Sequence, residues 1–287
     1  PPSPPPPPPP PPLQSDASIV VRLRTGGPAV AKHLAAAIEA LEDDADDAQN
    51  RYAQSLVRTP CGEFIIFERI AQAQSAASFA LQHRILPATD VTGLRIWPCS
   101  HRLLAHLVQP TELPLMATRA GRPLRIIELG AGTGVLGLGV SAALGAHAEV
   151  VVVSDPAIPI GGGLTSLDVL NWTVSANAAS APSAVVRKLL WGDDVSALRA
   201  AYGSLDVVIG CELLYREDSV AALVQTVREL GDVAAVVLAQ QTRPAGMAIE
   251  QTCVALMREA GYAVTRAPVV GTPAIIYTFT REGARGQ

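Results

Sequence analysis

Between Arg125 and Gly134 the chain reads Arg-Ile-Ile-Glu-Leu-Gly-Ala-Gly-Thr-Gly, an apolar run that passes an acid and opens into three alternating glycines. Glycines at such a turn let a ligand approach the backbone N–H groups that begin the next helix, here expected over Val135 to Leu144. The same text satisfies the dinucleotide pattern GxGxxG at Gly132, Gly134 and Gly137, with Asp155 downstream. Register separates the two readings. A dinucleotide turn places the first glycine of the pattern directly after the strand. Here the strand is expected to end at Leu129, so Gly130 comes first and the pattern becomes GxGxG, preceded by Glu128. Asp155 closes the run Val150-Val-Val-Val-Ser-Asp155, where a carboxylate can accept two hydrogen bonds from ribose hydroxyls in either fold. Its plainer alternative is a helix or turn cap.

Further segments carry chemistry-bearing side chains around this turn. Upstream, Gly93-Leu-Arg-Ile-Trp97-Pro98 leads into an amphipathic helix. Asn171-Trp-Thr-Val-Ser-Ala-Asn177 follows the second strand, Arg187-Lys-Leu-Leu-Trp191-Gly192 closes the third, and Asp206-Val-Val-Ile-Gly-Cys211-Glu212-Leu-Leu-Tyr215 contains the fourth. The order E-L-G-x-G-x-G resembles the first motif of the seven-strand S-adenosylmethionine-dependent methyltransferases. With the other segments, Gly93 to Arg281 resembles the protein-lysine N-methyltransferases of that class, the group acting on Hsp70, valosin-containing protein and elongation factors.

The resemblance implies S-adenosyl-L-methionine as cofactor and a lysine amine of a protein as acceptor. It places Trp97 against the methionine end of the cofactor, and Gly130, Ala131 and Gly132 in the turn beneath it. Asp155 is expected at the ribose, Trp191 at the adenine, and Cys211 beside the cofactor. Trp172 reads as core. The family's acceptor motif is D-x-x-Y or D-x-x-F, and here it is Glu212-Leu-Leu-Tyr215, with a carboxylate one methylene longer. Glu212 and Tyr215 are therefore the expected catalytic pair, Glu212 to bind and aim the amine and Tyr215 to hydrogen-bond in the channel. A second departure is the segment Pro156 to Gly163, which lengthens the loop after Asp155.

The elements that must position these residues follow from periodicity. Strands are expected near Arg125–Leu129, Glu149–Ser154, Val185–Leu190, Asp206–Cys211, Val233–Ala239, Tyr262–Ala267 and Ala274–Thr280, alternating with helix-period segments. The few residues between the last two leave no room for a crossover helix, so they form an antiparallel hairpin. The expectation is an α/β fold: a doubly wound, Rossmann-like seven-stranded sheet, mostly parallel, with a reversed last strand. Ahead of it, residues 1–14 are a Pro-rich tail holding 11 of the 24 prolines, which favours polyproline II and leaves no core. Residues 15–92 form an N-terminal extension expected to pack on the methyltransferase domain of 93–287. It contains a short strand at Ser18–Arg22, a helix at Pro28–Leu41 and a solvated acidic run, Glu42–Asp47.

Composition excludes several other classes. With 22 Lys plus Arg against 26 Asp plus Glu and 4% aromatic residues, a nucleic-acid binder is disfavoured. Four scattered cysteines fit neither a zinc site nor a disulfide scaffold, and they suggest a reducing compartment, the cytoplasm or the nucleus. No apolar run approaches the roughly 20 residues that a membrane helix needs. The chain has no G-x-S-x-G elbow, and His83, His101, His106 and His147 suit surface or packing roles, so a serine hydrolase is set aside. No metal is expected, and a monomer is. Two alternatives stay open: the same fold acting on a small amine, a histidine or a nucleic acid, and a silent cofactor-fold module whose Pro-rich tail docks SH3- or WW-type domains.

Overall fold

The computed structural model describes residues 20–23, 51–59, 61–69, 92–161, 164–243, 246–270 and 272–281. The Pro-rich tail, the expected helix Pro28–Leu41, the acidic run Glu42–Asp47, His83 and the loop glycines Gly162 and Gly163 lie outside the described residues.

In chain order the described strands are β1 (Val20–Leu23), β2 (Arg51–Thr59), β3 (Gly62–Arg69), β4 (Leu124–Leu129), β5 (Ala148–Asp155), β6 (Pro159–Gly161), β7 (Leu164–Thr165), β8 (Ala184–Lys188), β9 (Val207–Cys211), β10 (Ala235–Gln241), β11 (Tyr262–Pro268) and β12 (Ala274–Arg281). The α-helices are α1 (Pro98–Leu107), α2 (Leu113–Ala120), α3 (Val135–Leu144), α4 (Ser166–Ala176), α5 (Ser196–Tyr202), α6 (Glu217–Glu229) and α7 (Met247–Glu259).

Seven strands form one sheet in the order β11-β12-β10-β9-β4-β5-β8, parallel except for β12, which runs antiparallel to both β10 and β11. The central strands read as continuous apolar runs because helices cover both faces. Side chains alternate between two layers: Ile126, Val151, Val153 and Ile209 pack with Leu103, Leu104 and Leu138 on one face. Ile127, Val152 and Val208 pack with Leu223, Val227 and Met257 on the other. The chain runs outward from β4 to β8, then returns to lay β9 on the opposite side of β4. This reversal makes the C-terminal ends of β4 and β9 the natural crevice for a ligand.

The expected strands all occur, with one shift that matters. β10 lies at Ala235–Gln241 rather than Val233–Ala239, because its ladder to β12 continues to the pair Gln241↔Ala274. Two polar residues, Gln240 and Gln241, are thereby carried into the strand at the crevice.

The N-terminal extension contributes a β2–β3 hairpin that periodicity did not reveal. Phe64, Ile66 and Phe67 of β3 are buried, and Trp172 meets Phe67 edge to face at 6.1 Å between ring centres. Asn177 fastens β3 to the end of α4. Its Oδ1 accepts the Ile65 N–H at 2.8 Å, and its Nδ2 donates to Ile65 O at 2.6 Å and Thr173 O at 2.7 Å. Asn177 thus satisfies a strand edge as another strand would. The substitution Asn177→Ala removes the partner of both part-buried backbone groups of Ile65 and is expected to cost about 1–3 kcal/mol. A urea titration reads the loss, and hydrogen exchange at Ile65 locates it.

Candidate active site

The turn after β4 is built from backbone. Gly130 and Gly132 have φ of 61° and 56°, a region costly for residues with a Cβ. A Cβ on Gly132 would stand 2.3 Å from the carbonyl oxygen of Gly93, so the segment just before Trp97 rests directly on the turn. A Cβ on Gly130 would stand 2.8 Å from Leu213 and 3.2 Å from the Trp191 ring. The segment leading into Trp97, the Trp191 ring and the loop after β9 are therefore gathered around these few residues.

Asp155 ends β5 and is buried; its Oδ2 accepts the Gly132 N–H at 2.8 Å. Ser166 Oγ, at the first residue of α4, lies 3.2 Å from Asp155 Oδ1 and 2.6 Å from Pro156 O, sharing one proton between them. The carboxylate therefore caps the turn, the plainer of the two roles expected for it. Beneath the turn, Glu128 is buried, and its Oε2 accepts the N–H of Gly137 in the first turn of α3 at 2.9 Å. Desolvation pushes its carboxyl from 4.5 up to about 8, with the Gly137 N–H opposing and the charge of Asp155 adding to the rise.

Trp191 follows β8. Its buried indole N–H has no partner, and its ring flanks Gly130. Cys211 ends β9 beside Cys99 and Ser100 of α1. Burial, then the Cys99 thiol, push the Cys211 thiol well above its ordinary value, with Ser100 opposing, which keeps it a neutral wall rather than a nucleophile.

Glu212 is the one non-glycine at positive φ among the described residues, at 56°, a strain of about 1 kcal/mol or more. The bend aims its carboxylate sideways at β10. Oε1 accepts the Gln241 N–H at 3.0 Å, Oε2 accepts from Gln240 Nε2 at 3.1 Å, and Arg243 Nη2 stands 3.5 Å from Oε2. Gln240 Oε1 also accepts the Leu214 N–H at 3.0 Å, which clamps the loop from both ends. The Arg243 guanidinium lies 5.7 Å from the centre of the Trp97 ring. Tyr215 is 44% exposed at the mouth of the loop. Sequence reasoning missed Gln240, Gln241, Arg243 and Ser166. For the first three the available signal was the polar stretch Gln240-Gln-Thr-Arg243 after an apolar strand.

A glycine turn between first strand and helix, an acid closing the second strand, and a reversed seventh strand inserted between the fifth and sixth define the class: a seven-strand S-adenosylmethionine-dependent methyltransferase fold. Within that class, the family described as lysine methyltransferase matches residues 87–255, and the chain belongs to it. The protein N-lysine methyltransferase METTL21A of Mus musculus is 35% identical over 106 residues, 36% of this chain and 43% of that protein. Its Danio rerio counterpart is 33% identical over 168 residues, 58% of this chain and 70% of that protein. The EEF1A lysine methyltransferase 3 of Xenopus tropicalis is 36% identical over 106 residues, 37% of this chain and 41% of that protein. The chain thus spans less than half of the mouse and frog relatives it matches. No described helix is long and apolar enough to cross a membrane.

Two outcomes follow from the turn. Gly132→Ala combines a 2.3 Å backbone clash with positive φ, and a loss of about 2–4 kcal/mol is expected by denaturant titration. For Glu128, the folded carboxyl titrates near 8 and the unfolded one near 4.5, so only the unfolded chain releases its proton in between. Stability from this group is full below about pH 4.5 and falls as pH rises toward 8, at up to about 1.4 kcal/mol per pH unit. Glu128→Gln keeps an acceptor for Gly137 and should flatten the unfolding free energy over that window, with the greatest gain over wild type near pH 8.

Proposed function

We propose that the protein transfers a methyl group from S-adenosyl-L-methionine to a lysine amine of a protein substrate. The observation that carries this reading is the placement of Glu212-Leu-Leu-Tyr215 at the end of β9, next to the glycine turn at the end of β4, in a chain of the lysine methyltransferase family. The residues present suit the cofactor. Gly130, Ala131 and Gly132 offer a turn without side-chain bulk, Asp155 supplies a carboxylate at the expected ribose position, and Trp97 supplies an aromatic wall at the opening. The flat ring and unpartnered N–H of Trp191 suit a purine.

When bound, S-adenosylmethionine supplies an electrophilic methyl on a sulfonium. The chain's task is to align the amine with it and exclude water. At a reference pKa of about 10.4, forming the neutral amine at pH 7 costs roughly 4.6 kcal/mol. Leu213 and Leu214, buried beside the turn, favour the neutral form by desolvation, while a bare carboxylate at Glu212 would favour the ammonium. Glu212 orients the amine, and Tyr215 hydrogen-bonds at the mouth. The relatives named for a protein substrate support a protein acceptor here too.

Tritiated S-adenosylmethionine incubated with the protein and a cell lysate should label a discrete protein band at lysine. Asp155→Ala is expected to abolish cofactor binding by calorimetry. Glu212→Ala should retain binding and lose turnover. Undiminished methylation by both variants would overturn the assignment.

A further inference from the structure

The carboxylate on the acceptor side is not alone. Glu212 is 7% exposed and holds two donors from β10, and the guanidinium of Arg243 faces the same oxygen that Gln240 does. Arg243 also lies over the Trp97 ring, so one side chain links the loop after β9, the segment after β10 and the start of α1. The planar fork of a guanidinium lets one side chain lie over a ring and face a carboxylate at once.

We propose that Arg243 is a positioning residue for methyl transfer, which balances the charge of Glu212 so that this carboxylate orients the lysine amine without holding it as ammonium. The inference rests on the methyltransferase reading above. It also gives a physical reason for tolerating glutamate where the family motif has aspartate. The longer side chain folds back along β10 to reach Gln240, Gln241 and Arg243, and its charge is shared before an amine arrives.

The titratable and charged groups around the pair are Cys211 of β9, Cys99 of α1, and Tyr215 and Arg216 of the loop after β9. Glu250 of α7 approaches Gly246, which lies close to Arg243, and Glu250 accepts the hydroxyl of Tyr277 in β12, over whose ring Arg266 of β11 lies. Burial keeps the Cys211 thiol protonated, Arg216 pairs with Asp218, and Glu250 accepts from Tyr277, while Arg243 faces the Glu212 carboxylate.

The test is the pH dependence of labelling by wild type, R243Q and R243K, with the lysate protein most strongly labelled by wild type as acceptor. Removing the cation leaves Glu212 to stabilise the ammonium. The rising limb for R243Q should therefore move up by about half a pH unit or more, with a roughly three- to tenfold loss at pH 7 that is regained near pH 9. R243K keeps the charge and should hold the wild-type limb. Calorimetric binding of S-adenosylhomocysteine to R243Q should stay within about threefold of wild type, since the cation acts on the acceptor side. The Arg243 side chain is 46% exposed, so neither substitution opens a core cavity. A rising limb for R243Q superposable on wild type, whatever its absolute rate, overturns the role, as does a loss of S-adenosylhomocysteine binding beyond about tenfold. A wild-type protein that labels nothing overturns the methyltransferase reading and this inference with it. A labelling wild type with an unshifted R243Q profile overturns only the role of Arg243.

Discussion

Three backbone segments converge on Gly132, and the site depends on that convergence. Its N–H is held by Asp155 at the end of β5, its Cα faces the carbonyl of Gly93, and its left-handed φ turns the chain from β4 into α3. The approach is possible only without a Cβ. Around it lie the segment leading into Trp97, the carboxylate of Asp155, and the packing of Leu213 and Trp191 against Gly130. A side chain at this position would separate the wall before α1 from the floor after β4.

Two buried carboxylates support the same turn. Glu128 lies under it, dry enough for its proton to be retained to about pH 8. Asp155 lies beside it, and its Oδ2 accepts the Gly132 N–H. Desolvation is the main cause of the rise at Glu128, and the charge of Asp155 adds to it, because a second negative charge nearby disfavours ionisation.

The acceptor side has a different logic. Glu212 adopts a strained backbone and is compensated by hydrogen bonds that a relaxed conformation would not reach. Gln240 spans the carboxylate and the Leu214 N–H, so the loop is fastened to the sheet. Strain at a site persists where the surroundings over-determine it, and here the surroundings are the last two residues of β10.

Much of this was legible in the chain. The seven strands announce themselves as valine- and isoleucine-rich runs because a doubly covered parallel sheet needs apolar residues on both faces, and the short link after β11 required a hairpin. Gly130, Gly132 and Asp155 were singled out by type and spacing around those strands, while Trp191 and Glu212 entered through the resemblance to the lysine methyltransferases. The fastening of the site was not legible. Asn177 meets Ile65 across 112 positions, Gln240 meets Glu212 across 28, and Arg243 meets Trp97 only because the segment after β10 comes back to the start of α1. Periodicity and turn chemistry report forces between near neighbours. The partners of a buried carboxylate or an unpaired strand edge are chosen by the three-dimensional packing of segments far apart in the chain, so the sequence determined the strands and the glycine turn, and only the tertiary structure decided which polar groups hold them in place.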